Sequence, residues 1–375
     1  MSDSESVSFV KALPFYLVFL NIPLLVVATM FGGWWIFVAY AYFAILMSLS
    51  DYAAGLNAEN LDPLTQERQL FWYTLVTKLW PAAQIFLILF GIYRLANFEY
   101  TVVERIGIMV IIGFSSGIAG FVIAHELIHR ANRFERFLGD LLLSTVMYGH
   151  FRTEHVLVHH RYVGTPRDAV TARYNESLYR YFLRVIPFSF LSAWKTEKSL
   201  LKRINKPFWS LKNPFYLYFG MSFLFLVLSL ALGGMHGLLQ FLIQAVTAIL
   251  LLETTNYIEH YGLCRLHLGD GKYEHVQARH SWNANHRMTN YLMINLQRHS
   301  DHHYKPNRRF PLLQALDETD APQLPFGYML MAAFAFSPYH WRKFMNPRVR
   351  RWRSMYYPQV TDWTEYNLGA TPWPK

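Results

Sequence analysis

The sequence predicts an all-α integral membrane protein, a bundle of six transmembrane helices with a histidine-rich metal-binding region at one end. Three observations predict it. Of 375 residues, 53% are hydrophobic and 17% aromatic while only 16% are charged, which is too apolar for an ordinary soluble enzyme of this length. Six stretches approach the roughly 20 mostly apolar residues that cross a hydrocarbon layer, at 13–33, 34–52, 69–95, 104–128, 214–233 and 237–259. Most of the 16 histidines cluster just beyond the apolar stretches.

The apolar stretches fall into three pairs, each joined by a short turn: around Gly32 and Gly33, from Asn97 to Thr101, and from Gly233 to Gly237. Each pair reads as a helical hairpin, because a spanning segment must satisfy its own backbone hydrogen bonds. The start, MSDSESVSFVKA, is acidic and lacks the features of a secretory signal, so the first helix is expected to be retained. Residues 130–212 carry 15 Lys and Arg against 6 acids, whereas the turn from Asn97 to Glu104 carries only acids. The positive-inside rule then places both termini and the segments 130–213 and 260–375 in the cytoplasm of a bacterial-type inner membrane. The whole of 1–375 reads as one integral-membrane catalytic domain.

Tyr181 to Trp209 mixes apolar and basic residues around two prolines and is expected to lie in the membrane interface or to re-enter it. A net charge of +10 and the aromatic-basic run from Trp341 to Tyr357 fit anionic headgroups and interfacial anchoring rather than nucleic acid. The single cysteine, Cys264, excludes an internal disulfide and any built-in rubredoxin-type or iron-sulfur carrier.

The stretch FVIAHELIHRAN, Phe121 to Asn132, contains HExxH. A helix puts His125 and His129 on one face, where any divalent metal can use them. EHVLVHH supplies His155, His159 and His160, NYIEHYG supplies His260, and LQRHSDHH supplies His299, His302 and His303. On a regular helix His155 and His159 share a face while His160 is turned about 100° away, so HxxxHH can serve two adjacent metals. All nine fall at the same predicted boundary. His267, His275, His280, His286, His150, His340 and His236 lack such spacing and read as ordinary polar residues.

AHELIHR, EHVLVHH, NYIEHYGL and LQRHSDHHY together resemble the membrane alkane hydroxylase family, the AlkB-type alkane 1-monooxygenases, within the histidine-box di-iron hydroxylases and desaturases. The resemblance covers essentially the whole chain. NYIEHYGL and LQRHSDHHY point to the alkane hydroxylases within that group. Arg130 stands where a lysine often follows the first box, and Val158 where a glycine often precedes the doublet. Neither departure removes a ligand, and Val158 bears on packing beside His159.

Nine imidazoles exceed what one tetrahedral zinc takes. Shared between two non-haem irons, four or five each, they leave positions for oxygen, and imidazole suits iron. Glu126 and His129 form one ExxH, but no second copy stands on another long helix as in soluble di-iron bundles. Glu126, Glu154, Glu259 and Asp301 each neighbour a ligand candidate. They are candidates to accept the other ring proton, or are plain surface acids.

The resemblance implies a monooxygenase that hydroxylates the terminal methyl of medium- to long-chain n-alkanes with O2. A substrate without a polar handle must be chosen by an apolar tunnel. Trp35, Phe37, Tyr40, Tyr42 and Phe43 are candidates for its wall, although membrane aromatics more commonly pack or face lipid. The resemblance also implies rubredoxin as electron donor, itself reduced by a rubredoxin reductase. Arg152, Arg161, Arg298, Lys305, Arg308 and Arg309 are candidates to dock it, and would equally suit anionic lipid. Three rival readings are open. A membrane fatty-acyl desaturase or hydroxylase would share the iron site. An intramembrane zinc protease would use HELIH alone, with Glu126 as base. A metal transporter would place its ligands along a path near the midplane.

Overall fold

The computed structural model describes residues 9–374. Helices α1 (Phe9–Phe31) and α2 (Trp34–Ala54) form the first hairpin, and α3 (Glu67–Asn97) and α4 (Val102–Ile128) the second. The first reverses at Gly32 and Gly33, both at positive φ (59° and 50°), a conformation that glycine adopts without steric cost. The second opens on a capping box. The Glu104 carboxylate accepts from the Thr101 N–H at 2.9 Å, while Thr101 Oγ1 accepts from the Glu104 N–H at 3.2 Å. Glu104 also accepts from the Gly33 N–H at 2.9 Å, and Tyr100 donates to the Thr29 carbonyl at 2.6 Å. These bonds hold the two turns side by side at one end of the bundle.

Helix α8 (Phe215–His260) runs for 46 residues but is broken at Gly234 (φ 59°, ψ −149°). In a straight helix Phe225 and Phe241 would stand about 24 Å apart, yet their ring centroids are 6.4 Å apart. The two halves therefore fold back on each other, within the turn expected from the sequence. Five stretches have membrane-crossing length and hydropathy, and the fifth contains this reversal.

The bundle is centred on α4, whose most apolar window is 78% buried against 22–50% in the other four. Gly113 and Gly117 form a GxxxG face that lets α8 approach. A Cβ at 113 would stand 2.6 Å from Thr247 Cβ, and one at 117 would stand 2.8 Å from Leu251 Cβ. In lipid, close backbone approach substitutes dispersion contacts for a missing hydrophobic drive.

A polar cap covers the end where α4 and α8 stop. It contains α5 (Arg133–Ser144), whose N-cap Asn132 accepts from the Phe134 and Glu135 N–H groups, the helical turns of 151–162 (α6), and α7 (Leu178–Arg203). Beyond α8 lie a small antiparallel ribbon, β1 (His267–Gly269) and β2 (Lys272–Tyr273), with His267 opposite Tyr273, and the helices α9 (Arg287–Leu292), α10 (His299–Tyr304), α11 (Tyr328–Ala335) and α12 (Pro338–Tyr356). Helix α7 buries Tyr181, Val185, Ser189, Ala193, Glu197 and Leu201, one ridge of near-fourfold spacing. Its other face exposes Tyr179, Leu183, Phe188 and Leu191.

One sequence expectation is corrected here. The run from Trp341 to Tyr357 was read as an interfacial anchor, but α12 buries Trp341, Met345, Val349 and Trp352. Trp341 packs on Tyr257 and Tyr261 at centroid distances of 5.0 and 5.3 Å. Near-fourfold spacing of Trp341, Met345, Val349 and Trp352 makes this face core, leaving most of the basic residues, with Tyr339 and Met355, outside.

Candidate metal centre

Four segments deliver nine imidazoles to one buried volume. The last turns of α4 carry His125 and His129, and the end of α8 carries His260. A π-turn precedes the first pair, with the Phe121 N–H bonded to the Ser116 carbonyl. A second π-turn spans His155–His159, where the His160 N–H reaches the His155 carbonyl. Such bulges add one residue to a helical turn and recur at functional sites. Helix α10 follows a tight reversal in which Ile294 and Asn295 take positive φ (40° and 60°). This is an uncommon conformation for a β-branched residue.

The nine rings form two groups. His125, His129, His155, His160 and His302 make one, and His159, His260, His299 and His303 the other, each with one ligand atom per residue within 4.8 Å of the rest. In the first, His160 Nε2 lies 3.0 Å from His155 Nε2 and 3.0 Å from His302 Nε2. In the second, His299 Nε2 lies 3.2 Å from His260 Nε2 and 3.1 Å from His303 Nε2. The groups adjoin, with the His160 and His303 ring centroids 4.6 Å apart.

The second box partitions differently from the regular-helix expectation. His155 joins His160, and His159 crosses to the other group, because the extra residue of the π-turn aligns positions five apart. In α10 the ordinary helical pattern holds, and His299 pairs with His303 while His302 turns to the five-histidine group.

The carboxylates divide. Glu259 Oε1 lies 3.4 Å from His299 Nδ1. Glu154 is fully buried with neither oxygen hydrogen-bonded, and burial pushes its carboxyl well up, toward the neutral acid. Glu126 instead meets Arg130 at 3.3 Å and the Phe310 N–H at 3.4 Å, and Asp301 meets Arg308 at 2.5 Å and the Gln314 N–H at 3.0 Å. Arginines in the 306–310 loop and at position 130 draw these two acids away from the rings. Sequence reading missed Asp168, whose Oδ2 stands 3.0 Å from His159 Nδ1 with both side chains 0% exposed. Asp168 also accepts from Thr171 Oγ1 at 2.6 Å and from the Val170 N–H at 3.0 Å. A loop reversal at Gly164 (φ 74°) brings it back, and no periodicity signals that return. Glu253 was missed as well. It is buried and accepts from Tyr148 Oη at 2.7 Å and Asn256 Nδ2 at 3.1 Å.

Of the basic residues proposed for docking, Arg298 and Arg309 are buried at 4% and 8% exposure. Arg298 donates to the Leu313 carbonyl at 2.6 Å and to the Glu59 carbonyl at 3.0 Å, while Arg309 pairs with Glu67 and Glu135. Both hold loops together and are unavailable to a partner. Arg152 pairs with Asp140 and Arg308 with Asp301, leaving Arg161 and Lys305 exposed.

Among the tunnel candidates, Trp35, Phe37 and Tyr40 face outward at 46%, 65% and 50% exposure. Phe43 is buried against Phe114 at 5.9 Å, and Tyr42 is partly buried. A narrow pocket of 20 Å³ meets the histidines from the bundle side instead. Its apolar wall comes from Gly117, Phe121, Val122, Phe151, Leu252 and Leu296, and it reaches His125, His155 and His299. From the polar side a larger opening of 800 Å³ reaches His129 past Arg130, Arg152 and Glu197.

The donor set fits metal ions. Burial, and then the neighbouring imidazoles, hold His129, His155, His160, His299, His302 and His303 well below the usual histidine range. These rings are therefore neutral, the form that ligates. The buried Nε2 atoms of His125, His129 and His159 have no hydrogen-bond partner, and those of the other six rings converge on one another, an arrangement that is costly unless something else satisfies the lone pairs. At a metal–nitrogen distance of about 2.1 Å, ligands at right angles stand about 3.0 Å apart and tetrahedral ones about 3.4 Å. The observed Nε2 separations of 3.0–3.2 Å match the former, as expected for more than four positions around an ion.

Comparison with known proteins finds relatives over most of the chain. The fatty acid desaturase family matches residues 105–335. Alkane 1-monooxygenase 2 of Alcanivorax borkumensis is 38% identical over 328 residues, covering 84% of this chain and 83% of that protein. Alkane 1-monooxygenase 2 of Pseudomonas aeruginosa is 42% identical over 261 residues, 69% of this chain and 68% of that one. The hydroxylase component of a xylene/toluene monooxygenase from Pseudomonas putida is 26% identical over 333 residues, 87% of this chain and 86% of that one.

Proposed function

The chain belongs to the alkane 1-monooxygenases within the fatty acid desaturase family, and from that membership we propose that it hydroxylates the terminal methyl of medium- to long-chain n-alkanes at a di-iron centre held by all nine histidines. Five imidazoles (His125, His129, His155, His160 and His302) would hold one iron, and four (His159, His260, His299 and His303) the other. The observation that carries this reading is the five-plus-four partition. A zinc protease would employ only HELIH, leaving the second group without purpose.

When bound, the metal pair supplies the oxygen activation by which RCH3, O2, two electrons and two protons become RCH2OH and water. The chain's residues do the rest. Asp168 holds the proton on His159 Nδ1, so that Nε2 presents its lone pair to the group. Glu259 is the nearest carboxylate to His299, 3.4 Å from its Nδ1 and not hydrogen-bonded to it. The apolar wall of Gly117, Phe121, Val122, Leu252 and Leu296 excludes water and presents a hydrocarbon end to the histidines.

The remaining reading follows the sequence. The whole chain forms one catalytic unit crossing an inner membrane six times, counting both halves of α8, with the histidines on the cytoplasmic side. Electrons come from rubredoxin, reduced in turn by a rubredoxin reductase. The donor docks on the polar side, where Lys305 is exposed. The test is turnover of an alkane series by the purified protein with rubredoxin, its reductase and O2. 1-Alkanol is the expected product, and alkene would favour a desaturase. Donor KM should rise with ionic strength if docking is electrostatic.

A further inference from the structure

On the outer side of α6, a cavity of 710 Å³ lies between α6, the segment that follows it, α7 and residues near the C-terminus. Its size falls within the roughly 300–1,000 Å³ typical of small-molecule sites. Among the described residues no carboxylate side chain lines it, whereas Arg161, Arg167, Arg173, Arg184, Lys195 and Arg203 all do. Of these, among the described residues, Arg184 alone has an ion-paired acid, Glu176 at 2.7 Å. Arg161 and Arg167 rest on the Tyr162 ring at 5.1 and 4.0 Å, which orients their charge without neutralising it. Burial, and then Arg184, push the Arg173 guanidinium down, with Glu176 offsetting part of the effect.

Apolar side chains are interleaved with these cations. Leu157, Phe188 and Leu191 line the cavity while remaining 41%, 56% and 43% exposed. They continue into the face of α7 that exposes Leu183 at 80%. An inorganic anion would satisfy the cations and leave these apolar side chains wet, and a hydrocarbon would do the reverse. An acidic protein would meet a strip of exposed leucine and phenylalanine. One molecule with a phosphate at one end and an acyl chain at the other satisfies both.

We propose that this cavity binds one anionic phospholipid, with its phosphate among Arg167, Lys195 and Arg203 and an acyl chain along Leu157, Phe188 and Leu191. Leu157 lies within the second histidine box and Arg161 directly after it, so the lipid would tie both α6 and α7 to the leaflet beside the metal centre.

The test is native mass spectrometry of the full-length, metal-loaded protein in detergent, titrated with phosphatidylglycerol and with phosphatidylcholine of identical acyl chains. Glycerol 3-phosphate serves as a chainless probe. The expected result is a preference of roughly tenfold for phosphatidylglycerol, falling to about twofold in K195Q/R203Q with metal content unchanged, and no measurable binding of glycerol 3-phosphate. Both positions are exposed, and the single variants K195Q and R203Q, each with a partial loss, stand in if the pair does not fold. Equal binding of the two lipids, or a preference that survives the substitutions, would overturn the proposal. So would glycerol 3-phosphate binding as tightly as the lipid, which would mark a free-phosphate site. A raised KM for the electron donor with the lipid preference intact would make the surface a protein-docking one instead.

Discussion

Replacing Asp168 with asparagine tests whether the two histidine groups hold separate metals. The carboxylate takes three donors: His159 Nδ1 at 3.0 Å and Thr171 Oγ1 at 2.6 Å on Oδ2, and the Val170 N–H at 3.0 Å on Oδ1. An amide of the same size brings a donor of its own. Turned either way it leaves at least one of these groups facing an N–H, and it removes the charge that supports His159. Losing such a carboxylate partner costs about 10- to 100-fold in metal affinity, or roughly 1.4–2.7 kcal/mol. The loss should be confined to the group of His159, His260, His299 and His303, because none of the five other rings is bonded to Asp168. Chelator competition followed by elemental analysis would read it. At a chelator concentration that leaves the native protein loaded, D168N should drop to about half its metal. Simultaneous loss of all metal, or unchanged retention, would refute the reasoning.

Other consequences follow from the same geometry. Leu252→Trp narrows the pocket beside His125 and should shift kcat/KM toward shorter alkanes by about tenfold or more, read from a chain-length series. Gly113→Ala places a methyl 2.6 Å from Thr247 Cβ and 2.8 Å from the Gln244 carbonyl. It should destabilise the bundle by about 1–3 kcal/mol, lowering the melting temperature without changing substrate preference. His302→Ala should abolish alkane turnover, whereas a site built on HELIH alone would spare it. Glu274 responds to pH in the polar cap. Burial pushes its carboxyl up, but hydrogen bonds from His280, Tyr357 and the Leu266 N–H outweigh this and hold it at about 2, below its ordinary value of 4.5. A depressed folded pKa stabilises above the unfolded value and is lost as pH falls from about 4.5 toward 2. Acid unfolding of E274Q should therefore show a shallower slope across that window.

The apolar stretches and the glycine turns were legible because lipid forces backbone bonds inside each segment, so length and hydropathy carry the signal. The three histidine boxes and NYIEH were legible because ligand spacing recurs on helices. The partition of the second box was not, since a π-turn changes which of His155, His159 and His160 align, and nothing in HVLVHH announces an extra residue per turn. Asp168 was hidden for another reason: a loop return at Gly164 is tertiary, without period. The outward placement of Trp35, Phe37 and Tyr40 shows the limit for aromatics in lipid, where facing the membrane and lining a tunnel have the same composition. Arg298 and Arg309 make the parallel point for charge, since a basic residue that ties carbonyls or buried acids together reads in sequence like a surface one.

The central claim, that nine histidines form one two-iron site, is tested most directly by iron and zinc content per chain in protein purified from detergent without added metal. The account predicts close to two irons per chain. One zinc with no iron, retained when His302 is replaced by alanine, would contradict it.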